Sequence, residues 1–318
     1  MVMTYILFVV GIYLLVRSAD WIVDGASSLA KKLGVSSLII GLTVVAFGTS
    51  LPELVVNLFA ALEGNGEIAF GNIVGSNIAN VLLVLGVTAM ITNVKVKSNT
   101  VWKEIPFALL AAFALFALTS KIFFGSGHFL NWFDGVILLG LFGVFLVYVF
   151  RMAFGDKKKI DFPEDSDEGN LAIVFSLVAG LVGIYFGGRW VVEGAILIAS
   201  NFGLSEYLIS ATVIAIGTSL PELVVCVIAA LKKNVDLAVG NVIGSNIFNV
   251  LWVLGIVPIV APIRIPDFIG FDIGIMFLST LILFVFMFTG KKRHLSLENG
   301  AIFVFFYVLY ISVVVLRG

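Results

Sequence analysis

A nine-residue segment that occurs twice constrains the fold of this chain more than any other feature. Residues 48–56 and 217–225 both read GTSLPELVV, an offset of 169 positions. At the same offset, GNIVGSNIANVL at 71–82 and GNVIGSNIFNVL at 240–251 share nine of twelve residues. Because self-similarity at one fixed offset marks duplicated structural units, we expect two halves built on one plan.

The composition indicates that both halves lie in a membrane. Hydrophobic residues make up 60% of the chain and charged residues only 12%, whereas soluble proteins average about 25% charged residues. A membrane-spanning helix needs about 20 mostly apolar residues, and ten such segments are present. They are 5–29, 36–62, 69–92, 104–122, 130–152, 171–199, 206–231, 238–261, 267–289 and 299–316.

A polar stretch divides these segments into five and five. Residues 155–169 read GDKKKIDFPEDSDEG, which is typical of a solvated linker. We therefore predict a first repeat at 1–154, a linker at 155–169 and a second repeat at 170–318. Because five is odd, the second half enters the membrane from the opposite side, a plan that transporters use with a midplane site. The predicted fold is an all-α membrane protein with ten transmembrane helices in two inverted five-helix repeats.

The distribution of basic residues predicts the orientation. Numbering the connections alternately places fourteen Lys and Arg residues on one side and three on the other. Cytoplasmic loops carry the excess of basic residues, so both termini are expected outside and the linker in the cytoplasm. The first side holds Lys31, Lys32, Lys95, Lys97, Lys103, Arg151, Lys157, Lys158, Lys159, Lys232, Lys233, Lys291, Lys292 and Arg293, and the other holds Lys121, Arg264 and Arg317.

Two glutamates lie deep inside apolar segments. Glu53 and Glu222 occupy the same position in the two copies of GTSLPE. A charge at that depth costs several kcal/mol, so it needs a partner and usually marks an ion pathway. One such residue could be structural, paired with an arginine or a hydroxyl, but two at equivalent positions favour function.

The neighbours of the glutamates are oxygen donors. Pro52 and Pro221 lack an N–H group and clash with the carbonyl four residues earlier, so carbonyls near Gly48 and Gly217 are expected to be free; a kink that serves only packing is the alternative. An all-oxygen set suits hard cations such as Ca²⁺ and Na⁺. The single Cys226 excludes a multi-cysteine metal site. The motif hydroxyls are those of Thr49, Ser50, Thr218 and Ser219.

A polar stripe follows each glutamate-bearing segment. Its residues are spaced by four, so they share one face of a helix, and we expect that face to meet the glutamates. Interleaved glycines four apart allow close helix approach, and packing remains an equal explanation for them. Asn77 and Asn246 point off the stripe. The stripe residues are Asn72, Ser76, Asn80, Asn241, Ser245 and Asn249, and the glycines are Gly71, Gly75, Gly240 and Gly244.

Charged residues in the first and sixth spans have a structural explanation. Arg17 and Asp20 are three residues apart, and Arg189 and Glu193 are four apart, so local ion pairs near the interface are expected. These long, glycine-rich spans are also candidates for moving parts.

With both motif pairs in a ten-span duplicated chain, the sequence resembles the calcium/cation antiporters, particularly microbial sodium/calcium exchangers. The resemblance covers essentially the whole chain. It implies electrogenic exchange of several Na⁺ for one Ca²⁺ by alternating access, with four clustered ion sites. The implied ligands are Glu53, Thr49, Ser50, the Ala46 carbonyl, Ser76 and Asn80, together with Glu222, Thr218, Ser219, the Ala215 carbonyl, Ser245 and Asn249.

This chain departs from the family pattern at Asn249, where many exchangers place an aspartate. The central site then holds two carboxylates instead of three, which makes potassium co-transport less expected. The GN-x-x-E motif of the proton-coupled branch is also missing, since Gly75 and Gly244 each precede a serine.

The sequence leaves rival functions open. The nearest is an H⁺/Ca²⁺ or other divalent-cation antiporter, because two close carboxylates can share a proton. An intramembrane enzyme would need a nucleophile or a cluster of basic residues for a lipid phosphate, and no arginine or lysine lies near either motif, so we expect no enzyme. A passive cation channel is a further alternative. We expect Ca²⁺, Na⁺ and lipid as partners, with no resident cofactor and no nucleic acid. The expected location is a prokaryotic cell membrane, and a monomer is compatible with the sequence.

Overall fold

The computed structural model describes residues 2–120, 129–154, 169–202, 217–267, 269–289 and 292–317. Within these ranges the chain is almost entirely helical. The helices are α1 (Val2–Leu33), α2 (Ser37–Thr49), α3 (Leu51–Leu62), α4 (Gly66–Ala79, Asn80–Leu85 and Gly86–Ile91), α5 (Thr100–Thr119), α6 (Trp132–Phe154), α7 (Asn170–Asn201), α8 (Leu220–Leu231), α9 (Val235–Val260), α10 (Ile269–Phe286) and α11 (Leu297–Arg317).

Most predicted spans are present as helices. In the described part of the chain, eight helices are long and apolar enough to cross a membrane, and α2 with α3 makes a ninth if this bent pair crosses once. The span predicted at 206–231 is described only from residue 217 onward, and this part contains α8. Its first part and residues 155–168 of the linker lie outside the described residues, so ten helices remain a prediction.

The most buried helices are α4 and α9, which carry the polar stripes. Their spanning windows are 78% and 83% buried, against 17% for α11. Peripheral helices instead expose large apolar side chains such as Phe150 and Phe305. Because lipid accepts apolar side chains without cost, the polar residues collect at the centre of the bundle.

Helices α1 and α7 pack against each other along their length. Glycines bring the two backbones close: a Cβ at Gly11 would lie 3.0 Å from the Gly187 carbonyl oxygen. Each helix has 32 residues, which corresponds to about 48 Å at 1.5 Å per residue. Both helices are therefore longer than a hydrocarbon core of about 30 Å. They are also longer than the predicted spans 5–29 and 171–199.

Several helices contain a wide turn that simple helical periodicity did not predict. A π-helical turn closes i→i+5 hydrogen bonds, and such turns are frequent at functional sites. Two of them begin near the second asparagine of each polar stripe. The π-helical segments are Gly41–Val45, Asn80–Leu85, Thr100–Glu104 and Phe248–Val253.

Short strands join connections from the two halves. Strand β1 (Val94–Lys95) pairs antiparallel with β4 (His294–Leu295), and β2 (Phe129–Leu130) pairs antiparallel with β3 (Ile263–Arg264). Strands β1 and β3 follow α4 and α9, so the two halves place a strand after the same helix. Each ribbon ties one half to the other.

A buried carboxylate ties α5 to α6. Glu104 is fully buried, and one of its oxygens accepts a hydrogen bond from the Tyr148 hydroxyl. We expect Tyr148→Phe to lower the free energy of unfolding by about 1–3 kcal/mol, because it leaves a buried acceptor without its donor. The measurement is the thermal unfolding midpoint in detergent. Tyr13→Phe, which changes an exposed hydroxyl, is the matched control, and equal midpoints for both variants would contradict the assignment.

Candidate ion-binding site

The first GTSLPE motif forms a break between two helices. Helix α2 ends at Thr49, Ser50 adopts φ −86° and ψ 0°, and α3 begins at Leu51 with a bend of 40°. Pro52 lies in the first turn of α3, where a missing N–H group costs nothing because that group has no intrahelical partner. The motif thus starts a new helix inside the bundle.

The expectation that the proline frees the carbonyl near Gly48 is wrong, because the Gly48 carbonyl accepts an N–H at the break. The Ala46 carbonyl, which the family resemblance implies as a ligand, accepts a bond of 3.0 Å from the Ser50 N–H and lies 3.4 Å from Thr49 Oγ1. Helix ends commonly recover their free carbonyls by tightening the last turn in this way. Ala215 lies outside the described residues.

Glu53 and Glu222 occupy the first turns of α3 and α8. Both are fully buried, and no described residue forms a hydrogen bond with their carboxylate oxygens. Their side chains lie near each other and near hydroxyls of both halves, with Ser76 beside Glu53 and with Thr49 and Ser245 beside Glu222. The positive end of each helix dipole favours negative charge at these positions.

Hydroxyl contacts join the motif of each half to the stripe of the other. Thr49 Oγ1 lies 3.2 Å from Ser245 Oγ, and Ser76 Oγ lies 3.4 Å from Thr218 Oγ1. Thr49 Oγ1 also lies 3.3 Å from Asn241 Oδ1, a further acceptor for its single hydrogen. Because the two hydroxyl pairs are equivalent at the offset of 169, the site is built symmetrically at the interface of the halves.

Further oxygens at this interface have no protein partner among the described residues. They belong to residues that the sequence assigned to the site: Ser50 Oγ, Ser219 Oγ, Asn80 Oδ1 and Asn249 Oδ1. Ca²⁺ takes six to eight oxygen ligands, and these four atoms with the four carboxylate oxygens reach that number. The described residues contain no group of three or more His, Cys, Asp or Glu side chains that could hold a metal. Neutral oxygens therefore make up most of the site.

Asn77 and Asn246, which the stripe pattern set aside, link α4 to α9. Asn80 Nδ2 donates to Asn246 Oδ1 at 3.0 Å, and Asn246 Nδ2 donates to the Asn77 carbonyl at 3.3 Å. These two asparagines occupy equivalent positions in the two most buried helices, and this repetition could have identified them in the sequence. By bonding Asn80, Asn246 orients a predicted ion ligand.

Asn57 is a second residue that the sequence analysis missed. Its Nδ2 donates to the Glu53 carbonyl oxygen at 2.7 Å, and the side chain is fully buried. An amide four residues after a buried glutamate, on the same helix face, is the signal that could have identified it. The equivalent position is Cys226, whose Sγ accepts from Asn241 at 3.5 Å.

The stripe glycines of the second half lie against the backbone of α2. A Cβ at Gly240 would lie 2.5 Å from the Leu38 carbonyl oxygen, and one at Gly244 would lie 2.9 Å from the Leu42 carbonyl oxygen. These glycines let α9 touch the backbone of α2, as the packing explanation requires.

The predicted ion pairs outside the site are confirmed. Arg17 Nη1 lies 3.1 Å from Asp20 Oδ2, and Arg189 Nε lies 2.7 Å from Glu193 Oε1. These side chains belong to α1 and α7, apart from the buried glutamates.

Known proteins match this chain over nearly its whole length. CaxA of Alkalimonas amylolytica is 40% identical over 320 residues and covers 98% of both chains. The sodium/calcium exchanger MaX1 of Methanosarcina acetivorans is 32% identical over 343 residues, 97% of each chain. A solved structure of the sodium-calcium exchanger NCX_Mj superposes with a TM-score of 0.81 at 31% identity, covering 98% of both chains.

The model of the family described as sodium/calcium exchanger protein matches residues 3–151 and 172–316. Together with the apolar helices and the site between the halves, this match identifies a multi-pass integral membrane transporter of the calcium/cation antiporter superfamily. The chain therefore belongs to the sodium/calcium exchanger family.

Proposed function

We propose that this chain exchanges Na⁺ for Ca²⁺ across a prokaryotic cell membrane by alternating access. The observation that supports it most is the pair of buried carboxylates, Glu53 and Glu222, whose oxygens have no described protein partner. An uncompensated buried charge is costly, and two carboxylates together balance the charge of one Ca²⁺. The central charge of the site then comes from these two residues alone.

Competition for this site couples the two fluxes. Ca²⁺ needs both carboxylates, while Na⁺ ions occupy overlapping oxygens, so the site holds either cargo but not both. A site that reorients only when occupied then converts a Na⁺ gradient into Ca²⁺ movement. The names of MaX1 and NCX_Mj as exchangers of sodium and calcium support Na⁺ as the counter-ion.

The proposed ligands belong to both halves. The carboxylates hold Ca²⁺, and the hydroxyl, amide and carbonyl oxygens complete the shells of Ca²⁺ and Na⁺. No resident cofactor takes part. The proposed ligand residues are Glu53, Glu222, Thr49, Thr218, Ser50, Ser219, Ser76, Ser245, Asn80, Asn249, Ala46 and Ala215.

The proposed architecture has ten transmembrane helices in two inverted repeats, 1–154 and 170–318. The matched hydroxyl pairs and matched strands support the repeat, and the fourteen-to-three split of basic residues supports the orientation. Both termini then lie outside and the 155–169 linker lies in the cytoplasm.

Transport in proteoliposomes tests this function. We expect rapid ⁴⁵Ca²⁺ uptake when Na⁺ is loaded inside and diluted outside at equal pH. A parallel sample carries a pH gradient without Na⁺, which would drive the H⁺/Ca²⁺ alternative. Uptake under the pH gradient alone would overturn the proposal.

A further inference from the structure

The pair α1–α7 contacts the rest of the bundle unequally. Helix α1 packs along α8, whereas α7 and α3 are barely in contact. Since α3 and α8 occupy equivalent positions in the two halves, as do α1 and α7, the same interface is closed on one side and open on the other.

The closed interface is held by Lys232, at the end of α8. Its Nζ lies 2.5 Å from Asp20 Oδ1 and 2.7 Å from Asp24 Oδ1, both on α1. Next to it, Asn234 Nδ2 donates to Ser27 Oγ at 2.9 Å. Partial burial opposes the charge of Lys232, but the two carboxylates outweigh it and raise the pKa of the amine.

The turn that carries Lys232 has a counterpart between α3 and α4. The Asn65 N–H bonds to the Ala60 carbonyl at 2.8 Å, as the Asn234 N–H bonds to the Ala229 carbonyl at 2.8 Å. Both asparagine side chains also cap the following helix. The residue before each asparagine has positive φ, 73° at Gly64 and 60° at Lys233. The turns match bond by bond, so Lys232 corresponds to Glu63.

The charges are exchanged between the two sides. At the offset of 169, Glu63 occupies the position equivalent to Lys232. Arg189 is equivalent to Asp20, and Glu193 is equivalent to Asp24. The turn now carries the acid and the long helix carries the base. No ion pair joins the described side chains of Glu63 and Arg189, and Arg189 is 60% exposed, against 33% for Lys232. Glu63 and Arg189 therefore carry the opposite charges of an ion pair that they do not form in this conformation.

We infer that Lys232 with Asp20, and Glu63 with Arg189, are two alternating latches for the conformational step of transport. The first closes the cytoplasmic side in this structure, and the second closes the outer side after α1 and α7 shift. Arg189 is then shared by Glu63 and Glu193, as Lys232 is shared by Asp20 and Asp24. This inference rests on the proposed alternating access. The four latch residues are positioning residues, since they lie outside the ion site.

Opposite shifts in apparent affinity on the two membrane faces test the latches. Apparent affinity on one face scales with the fraction of protein open to that face. Lys232→Gln weakens cytoplasmic closure, so the KM for external Ca²⁺ should rise about three-fold and the KM for internal Ca²⁺ should fall. Glu63→Gln should raise the internal KM about three-fold. Oriented proteoliposomes with ⁴⁵Ca²⁺ supplied on either face give both values.

A charge swap and a matched control separate latching from general damage. The double variant Glu63→Arg with Arg189→Glu should restore the KM values that either single variant changes. Lys97→Gln removes a 2.6 Å ion pair to Asp236 between two parts of the bundle outside α1 and α7, and it should leave both KM values unchanged.

The outcomes also separate the latch from the proposed function. Shifts in the same direction for Lys232→Gln and Glu63→Gln, or no rescue by the swap, would overturn the latch while wild-type exchange persists. Loss of Na⁺-driven uptake in the wild type would instead overturn the proposed function.

Discussion

Glu53→Gln or Glu222→Gln is expected to lower Na⁺-driven ⁴⁵Ca²⁺ uptake at least about 100-fold. Each substitution removes one of the two negative charges that balance Ca²⁺ inside the bundle. Removing one partner of a buried charge pair typically costs about 3–5 kcal/mol, which corresponds to a factor of about 100 or more in affinity. Initial uptake rates in proteoliposomes loaded with Na⁺ measure the effect.

A surface carboxylate provides the control for this experiment. Glu298, near the start of α11, is exposed, so Glu298→Gln removes the same charge without touching the site. We expect the Glu298→Gln variant to take up ⁴⁵Ca²⁺ at the wild-type rate. Uptake within a few-fold of the wild type in either buried-glutamate variant would show that Ca²⁺ does not need both carboxylates.

The substitution Gly240→Val is expected to abolish transport by separating α2 from α9. A Cβ at Gly240 would lie 2.5 Å from the Leu38 carbonyl oxygen and 3.1 Å from the Gly41 Cα. Backbone atoms cannot rotate away as a side chain can, so the helices must move apart, and overpacking of this kind costs about 1–3 kcal/mol or more. Thr49 would then lose Ser245 and Asn241, its partners on α9.

The effect of Gly240→Val is measured as ⁴⁵Ca²⁺ uptake and as the thermal unfolding midpoint. Gly143→Val is the control, since no described atom beyond the local backbone of its own helix lies within 4 Å of a Cβ at Gly143. Gly240→Ala adds a smaller clash at the same place and should reduce uptake less. Wild-type uptake by Gly240→Val would show that this helix contact does not position the site.

The polar contacts between the halves were predictable because each signal occurs twice. A lone buried glutamate such as Glu104 proved to be bonded to a tyrosine, whereas the carboxylates of Glu53 and Glu222 have no described hydrogen-bond partner. The spacing of four in the stripes correctly placed Ser76 and Ser245 facing the motif hydroxyls. Because the chain is duplicated, a pattern found in one half could be checked against the other half of the same sequence.

Features that depend on tertiary contacts were not predictable. Helical periodicity of 3.6 gives no sign of the π-helical turns at Asn80–Leu85 and Phe248–Val253. The proline rule predicted a free carbonyl near Gly48, but the Gly48 carbonyl accepts an N–H at the break. Such local rearrangements follow from how the break packs, which one segment of sequence does not specify.

The ion pairs show the same limit. Pairs within one helix, such as Arg17–Asp20, follow from spacing and were predicted. Lys232 bonds to Asp20 and Asp24 across 208 or more positions, and no local pattern connects them. Only the assembled bundle shows that these charges bridge two helices.

Equilibrium binding of ⁴⁵Ca²⁺ to the purified protein, titrated with Na⁺, tests whether the two cations share one site. We expect one tightly bound Ca²⁺ per chain that Na⁺ displaces steeply, because several Na⁺ ions occupy the same oxygens. We also expect that Glu53→Gln with Glu222→Gln abolishes this binding. Bound Ca²⁺ that persists in the double variant, or that Na⁺ leaves in place, would contradict a shared site.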